Sequence, residues 1–185
     1  MWSLLLNLAV LAWAQSFSIP NTKYDIEILA LRMLPGEQET LADISGLSFV
    51  GRDRRVNGTL DILADLDNEH FELAGDSSID VSNGGGNFIQ LPFMIPRTRF
   101  CDAVKKFIAV YGQDTVRMGV NTDFPVDGSV CPIPKGTYYI KNVKMNADDW
   151  PLLMPRGIMK SYFRVYKDGK SVGSIECLLN AKDKL

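Results

Sequence analysis

The residues that could do chemistry are few and poorly placed for it. The chain has one histidine, His70 in DNEHFEL, and three widely separated cysteines, Cys101, Cys131 and Cys177. A structural zinc site needs four nitrogen or sulfur ligands at close spacing, which this set does not supply. Asp65, Asp67 and Glu69 alternate in DILADLDNEHFE like calcium ligands, yet the glycine needed for the sharp turn of such a loop is absent. A solvated cluster at a strand end accounts for them. Asp148 and Asp149 would act as an acid–base pair only if fixed across a cleft, and adjacency does not show that. Gly84 to Gly86 lack phosphate-loop spacing and a following GK[ST], and no serine elbow is present. A serine or cysteine hydrolase would have to recruit His70 as its base, and nothing marks it for that role. The expectation is a protein that is not an enzyme, with no catalytic residue, metal ligand or cofactor.

The cysteines read better as structure. A largely apolar run from Leu4 to Trp13 ends in Ala12-Trp13-Ala14, the small-x-small pattern of signal-peptide cleavage, although no basic residue precedes it. A buried N-terminal helix is the competing reading. The run falls short of the 18 or so apolar residues that span a bilayer, and no later segment qualifies. The expected organisation is therefore a signal peptide over residues 1–14 and a single secreted, extracellular domain over 15–185, without stable membrane insertion. An oxidising destination favours one disulfide among three cysteines. Cys101 opens a helical pattern and Cys131 sits at the turn before a strand, so their pairing would tie the helix to a sheet. Cys177 alternates with Ile175 and Leu179 and reads as a small inward-facing hydrophobe. All three pairings, and one between chains, stay open on these grounds. Asn57-Gly58-Thr59 is a glycosylation acceptor if the chain is exported.

The elements that must position these residues are mostly strands. KYDIEILALRM, VNGTLDILADL, HFELAGDSSIDVSN and KGTYYIKNVKM carry alternating or mixed alternating patterns, and SNGGGN reads as a loop. NFIQLPFMI is a strand interrupted by Pro92, which suits an edge or a bulge. Asp168-Gly169 between two alternating runs is a strong hairpin signal. One segment changes period: Phe100, Val104, Phe107, Ile108 and Tyr111 fall at helical spacing, with Gly112 as C-cap. The pattern predicts an all-β sandwich or barrel with one short inserted helix, about 98–111. The 185 residues, 46% hydrophobic, suffice for one core, and a net charge of -2 without basic runs argues against nucleic acid as a partner.

What remains is apolar surface, above all Trp150-Pro-Leu-Leu-Met154, which either plugs one end of the fold or lines the mouth of a pocket. The stretch VCPIPKGTYYIKNVKM then acquires a meaning. Cys131-Pro-Ile-Pro-Lys-Gly136, Tyr138-Tyr139 and Lys141-Asn142, with Phe100-Cys101 upstream and Met154-Pro-Arg-Gly157 downstream, resemble the signature of a secreted insect family. That family is related to the ganglioside activator and to ML-type lipid-recognition proteins, and it includes chemosensory relatives. The resemblance covers roughly residues 56–179. It implies an immunoglobulin-like β-sandwich of ML type whose sheets gape around a lipid or other hydrophobic small molecule, with Cys101–Cys131 as the tie at the open end. Candidate pocket residues are Phe100, Val104, Phe107, Trp150, Leu152, Leu153, Met154 and Phe163. Few basic residues stand at the expected mouth, which favours a neutral ligand, and a membrane receptor is a further expected partner. The alternative is an interaction module that binds a receptor or glycan through the aromatic face of Tyr162, Arg164 and Tyr166, with no internal ligand.

Overall fold

The computed structural model describes residues 23–82, 84–148 and 150–184; the expected signal peptide lies outside the described residues. Nine strands follow in order: β1 Tyr24–Leu34, β2 Ala42–Asp43, β3 Ser48–Val50, β4 Arg55–Ile62, β5 Phe71–Asp80, β6 Ile89–Arg99, β7 Gly136–Val143, β8 Gly157–Lys167 and β9 Lys170–Asp183. One helix, α1 over residues 100–111, separates β6 from β7. The strands form two sheets. The larger has the order β1-β9-β8-β5-β6; in the smaller, β4 pairs β2 and β3 along one edge and β7 along the other. Every named strand pairing is antiparallel, so the fold is β-dominant with one short inserted helix.

Local chemistry explains the large sheet. At the β8–β9 turn, Asp168 and Gly169 have φ of 47° and 85°, the left-handed pair that a tight hairpin of this twist demands. At the sheet's edge, β6 carries Pro92 and Pro96, which lack an N–H and blunt the strand against further pairing; its register with β5 slips twice. The mixed pattern of β1 has a cause as well. A bulge between Ile28 and Ala30 shifts its phase, so that Arg32 lies opposite Glu176 while Leu31 and Met33 lie opposite Cys177 and Ile175. Between β5 and β6 the Asp80 carboxylate accepts bonds from the Ser82 hydroxyl and from the backbone N–H groups of Ser82, Gly84 and Gly86. Those bonds, the Ser82 hydroxyl first, hold its pKa below the ordinary carboxylate value.

The helix begins at Phe100 rather than at about residue 98, because β6 continues to Arg99, and it departs from the sequence pattern in one further respect. Residues Val104–Ile108 form a π turn inside α1, which adds a residue to that turn. Val104, Phe107 and Ile108 all pack inward, whereas Tyr111, expected on the same face, is rotated out and 52% exposed. The N-terminus of α1 is capped from a distance: Asn68 Oδ1 accepts the backbone N–H of Cys101 and Asp102.

Two ties join the sheets. On one flank Cys101 and Cys131 form a disulfide with a Cα–Cα distance of 5.9 Å, next to a two-bond bridge between Leu66 and Ile133. On the other, Arg54 donates to the carbonyls of Ile28 and Leu29 at the edge of β1 while its guanidinium lies 4.5 Å from the centre of the Phe49 ring. The interior holds two apolar clusters. One gathers Ile26, Ile28, Val56, Ile79, Met159 and Leu179; the other gathers Phe71, Leu73, Phe100, Val104, Ile133 and Val172.

The disulfide encloses a separation of 30 residues. On the chain-entropy argument, replacing both Cys101 and Cys131 by alanine lowers unfolding free energy by roughly 3–4 kcal/mol. Chemical denaturation of the two forms, at matched m-values, measures this directly.

Candidate functional site

The two clusters do not meet evenly across the large sheet. Cross-strand register arranges its inward side chains in rows. Ile28, Leu179, Met159 and Ile79 form one row, from 2 to 6% exposed. The next row is Leu31, Cys177, Ser161 and Ser77, and the one after it is Met33, Ile175, Phe163 and Gly75. In these two rows Leu31, Met33, Ser77, Phe163, Ile175 and Cys177 keep part of their surface uncovered; Ser161 and Gly75 are buried. The result is a half-covered, mostly apolar strip across the middle of the inner face, flanked by the two buried clusters.

The strip has one polar feature and one thiol. Ser77 Oγ and Ser161 Oγ lie 2.8 Å apart on adjacent strands. Cys177, opposite Ser161 in the register, is the free cysteine, and burial first, then the Glu176 charge, push its pKa up to about 12. The sequence reading of Cys177 as an inward-facing hydrophobe agrees with its packing against the first cluster. The disulfide joins the other two cysteines, which settles the choice of pairing.

The predicted pocket residues are dispersed. Phe163 lies on the strip. Phe100 and Val104 are buried in the second cluster, with Phe107 packed against it. Met154 is buried in the first cluster and Trp150 packs against it, the indole N–H donating to the Tyr111 carbonyl at 3.1 Å. Between these two anchors Leu152 and Leu153 stand 68% and 77% exposed. Tyr24 Oη fixes the same loop by donating to the Pro151 carbonyl at 2.8 Å. Leu31, Met33, Ile175 and the serine pair were not among the predicted residues. The alternation that turns Ile175 inward was visible in the sequence; the bulge that brings Leu31 and Met33 beside it was not, nor was how little covers the rows.

Much of the outer face of the same sheet is polar and internally paired, although Met94 on β6 is exposed there. Arg164 meets Asp76 and lies over the Tyr162 ring, Tyr162 Oη donates to Glu176, and Arg97 pairs with Glu72 while covering the Tyr166 ring. His70, Asp65, Asp67 and Asp148 are engaged locally. His70 Nδ1 lies 3.1 Å from Asp67, whose hydrogen bond raises the imidazole pKa, and Asp65 accepts the Lys135 N–H. Asp148 pairs with Lys184, and Asp149 lies outside the described residues. Among the described residues no three His, Cys, Asp or Glu side chains gather closely enough to hold a metal ion, and no helix is long and apolar enough to cross a membrane. A charged cleft of about 140 Å³ opens at the β1 edge beside Arg54, Asp25 and Lys144, away from all the predicted pocket residues. Asn57, the glycosylation candidate, lies within β4; its Oδ1 accepts the Asn142 N–H and its Nδ2 is buried without a partner.

Residues 76–161 match the family model described as a protein of unknown function, DUF1091. No curated protein matches the chain. The matched stretch contains α1, the disulfide, the Trp150 loop and both serines, while β1 to β4 and β9 fall outside it.

Three outcomes follow from this geometry. The raised pKa keeps the Cys177 thiol neutral at pH 8, so a thiol reagent labels the native protein at least tenfold more slowly than the denatured one, as absorbance kinetics will show. The sign of the pH effect is also fixed. Stability is unaffected by this group below its unfolded pKa of about 8.5 and falls as pH rises from there towards 12, a loss absent from Cys177→Ala. For Asn57, a glycan on a buried nitrogen and the β4–β7 pairing exclude one another. Protein secreted from insect cells and shown to be folded therefore loses no mass at this residue on treatment with a glycosidase.

Proposed function

We propose that the protein is a secreted, non-catalytic binder of a lipid or other hydrophobic small molecule, held between the two sheets of an immunoglobulin-like β-sandwich of lipid-recognition type. The observation that carries this reading is the half-covered strip. Apolar side chains that face inward, between two buried clusters, keep part of their surface uncovered. Sheltering an apolar chain there is worth about 0.8 kcal/mol per CH₂, so a long chain binds well with few polar contacts. Ligand pockets typically enclose about 300–1,000 Å³, so the sheets must part to admit one. Their two flanking ties, Cys101–Cys131 and Arg54 to β1, limit how far they do. The exposed Leu152–Leu153 pair, anchored on either side by Trp150 and Met154, gives the ligand an apolar landing at one end of the first cluster. The resemblance to secreted insect lipid-recognition-like proteins supports the same reading and suggests a hydrophobic cue in chemosensation, with a membrane receptor as partner of the loaded form.

Binding of a glycan or receptor through the outer aromatic face is less well supported. The Tyr162 and Tyr166 rings each already carry one of the protein's own guanidinium groups, of Arg164 and Arg97, which a stacking sugar would have to compete with.

Uptake of a fluorescent hydrophobic probe tests the reading. Ile175→Trp fills the strip with apolar volume and weakens probe binding at least tenfold, about 1.4 kcal/mol, while circular dichroism shows the fold retained. In a chain that starts at Gln15, Trp150 is the single tryptophan unless one is introduced, so its emission in the otherwise unaltered chain reports changes at the landing loop. Equal probe affinity in the native and Ile175→Trp forms would remove the strip as the binding site.

A further inference from the structure

We infer that the ligand is a neutral apolar chain bearing a hydrogen-bond-accepting oxygen, as in a long-chain ester, ketone or alcohol, and that the Ser77–Ser161 pair reads that oxygen. This rests on the proposed binding between the sheets and narrows it to a class of molecule.

The reasoning is an account of donors. Two serine hydroxyls hold two O–H groups, and their mutual bond at 2.8 Å uses one. Neither hydroxyl makes a second side-chain hydrogen bond among the described residues, so one O–H is left to give. Ser161 is 6% exposed and Ser77 is half-buried, and the register places both hydroxyls on the inward rows of the strip. Burying a hydroxyl with an unused donor is costly, and alanine at either position would avoid it. The row of Ile79 and Met159 on one side of the pair is buried, whereas that of Gly75 and Phe163 on the other belongs to the strip, so an apolar chain extends from the oxygen along the strip.

The surroundings also decide the charge. The charged residues of neighbouring positions, Asp76, Arg164, Glu176 and Arg32, engage one another on the outer face. The inward rows beside the pair contain Leu31, Met33, Phe163, Ile175, Cys177 and Gly75, none of them a cation. Nothing there would compensate a carboxylate taken out of water.

The test displaces a bound probe with three ligands of equal chain length at pH 8: an alkane, the corresponding methyl ester and the fatty carboxylate. The native protein prefers the ester to both others by about tenfold. In Ser77→Ala/Ser161→Ala the ester preference over the alkane disappears while alkane affinity stays within about twofold, which also shows that the strip is intact. Ser77→Ala alone, which leaves the remaining hydroxyl without its partner, reduces the preference without abolishing it. Equal alkane and ester affinity in the native protein, or an undiminished preference in the double variant, overturns the inference. Failure of all three ligands and of the probe would instead overturn the binding site on which it rests.

Discussion

The constraint on which the structure depends is a mismatch of area between its two sheets. The large sheet is built from five strands of 10 to 14 residues, whereas the strands opposite have 2, 3, 8 and 8. A face of that size has more apolar surface than so short a cover can remove from water. Burial is therefore concentrated in two places. Val56 and Val143 meet the large sheet in the first cluster; α1, Ile62 and Ile133 meet it in the second. The strip between them is what remains.

The two ties matter because of this mismatch. Without them, a small sheet resting on a large one would be free to slide or to close over the strip. The disulfide fixes one flank, and Arg54 reaching across to the β1 carbonyls fixes the other. The outer ladder of ion pairs and cation–π contacts has a different part. Each exposed pair contributes little to stability, on the order of 0–1 kcal/mol. Together they cover the outer Tyr162 and Tyr166 rings.

Much of this was legible in the sequence. Asp168-Gly169 marked the hairpin, Pro92 marked the edge, and helical spacing marked α1, because each is a local backbone preference. The π turn was not legible: no residue type announces it, and its effect, turning Tyr111 outward, appears only when the helix docks. The same holds for the bulge that brings Leu31 and Met33 opposite Cys177 and Ile175. Alternation told which side of a strand faces inward and so placed Phe163, Ile175 and Cys177 correctly. It carries no information about how completely the opposite sheet covers them. That is why attention fell on the conspicuous loop Trp150 to Met154, whose residues part between core and solvent, rather than on the quieter row with Ser77 and Ser161.

The most direct test of the central claim is native mass spectrometry of the protein secreted from insect cells, followed by extraction with organic solvent. If the strip is a binding site, the native mass exceeds the chain mass by one hydrophobic molecule, and the extract contains that molecule in stoichiometric amount. A clean ligand-free mass that stays unchanged after incubation with hydrocarbons, esters, sterols and phospholipids would contradict the account. The half-covered rows would then be no more than the uncovered remainder of an oversized sheet.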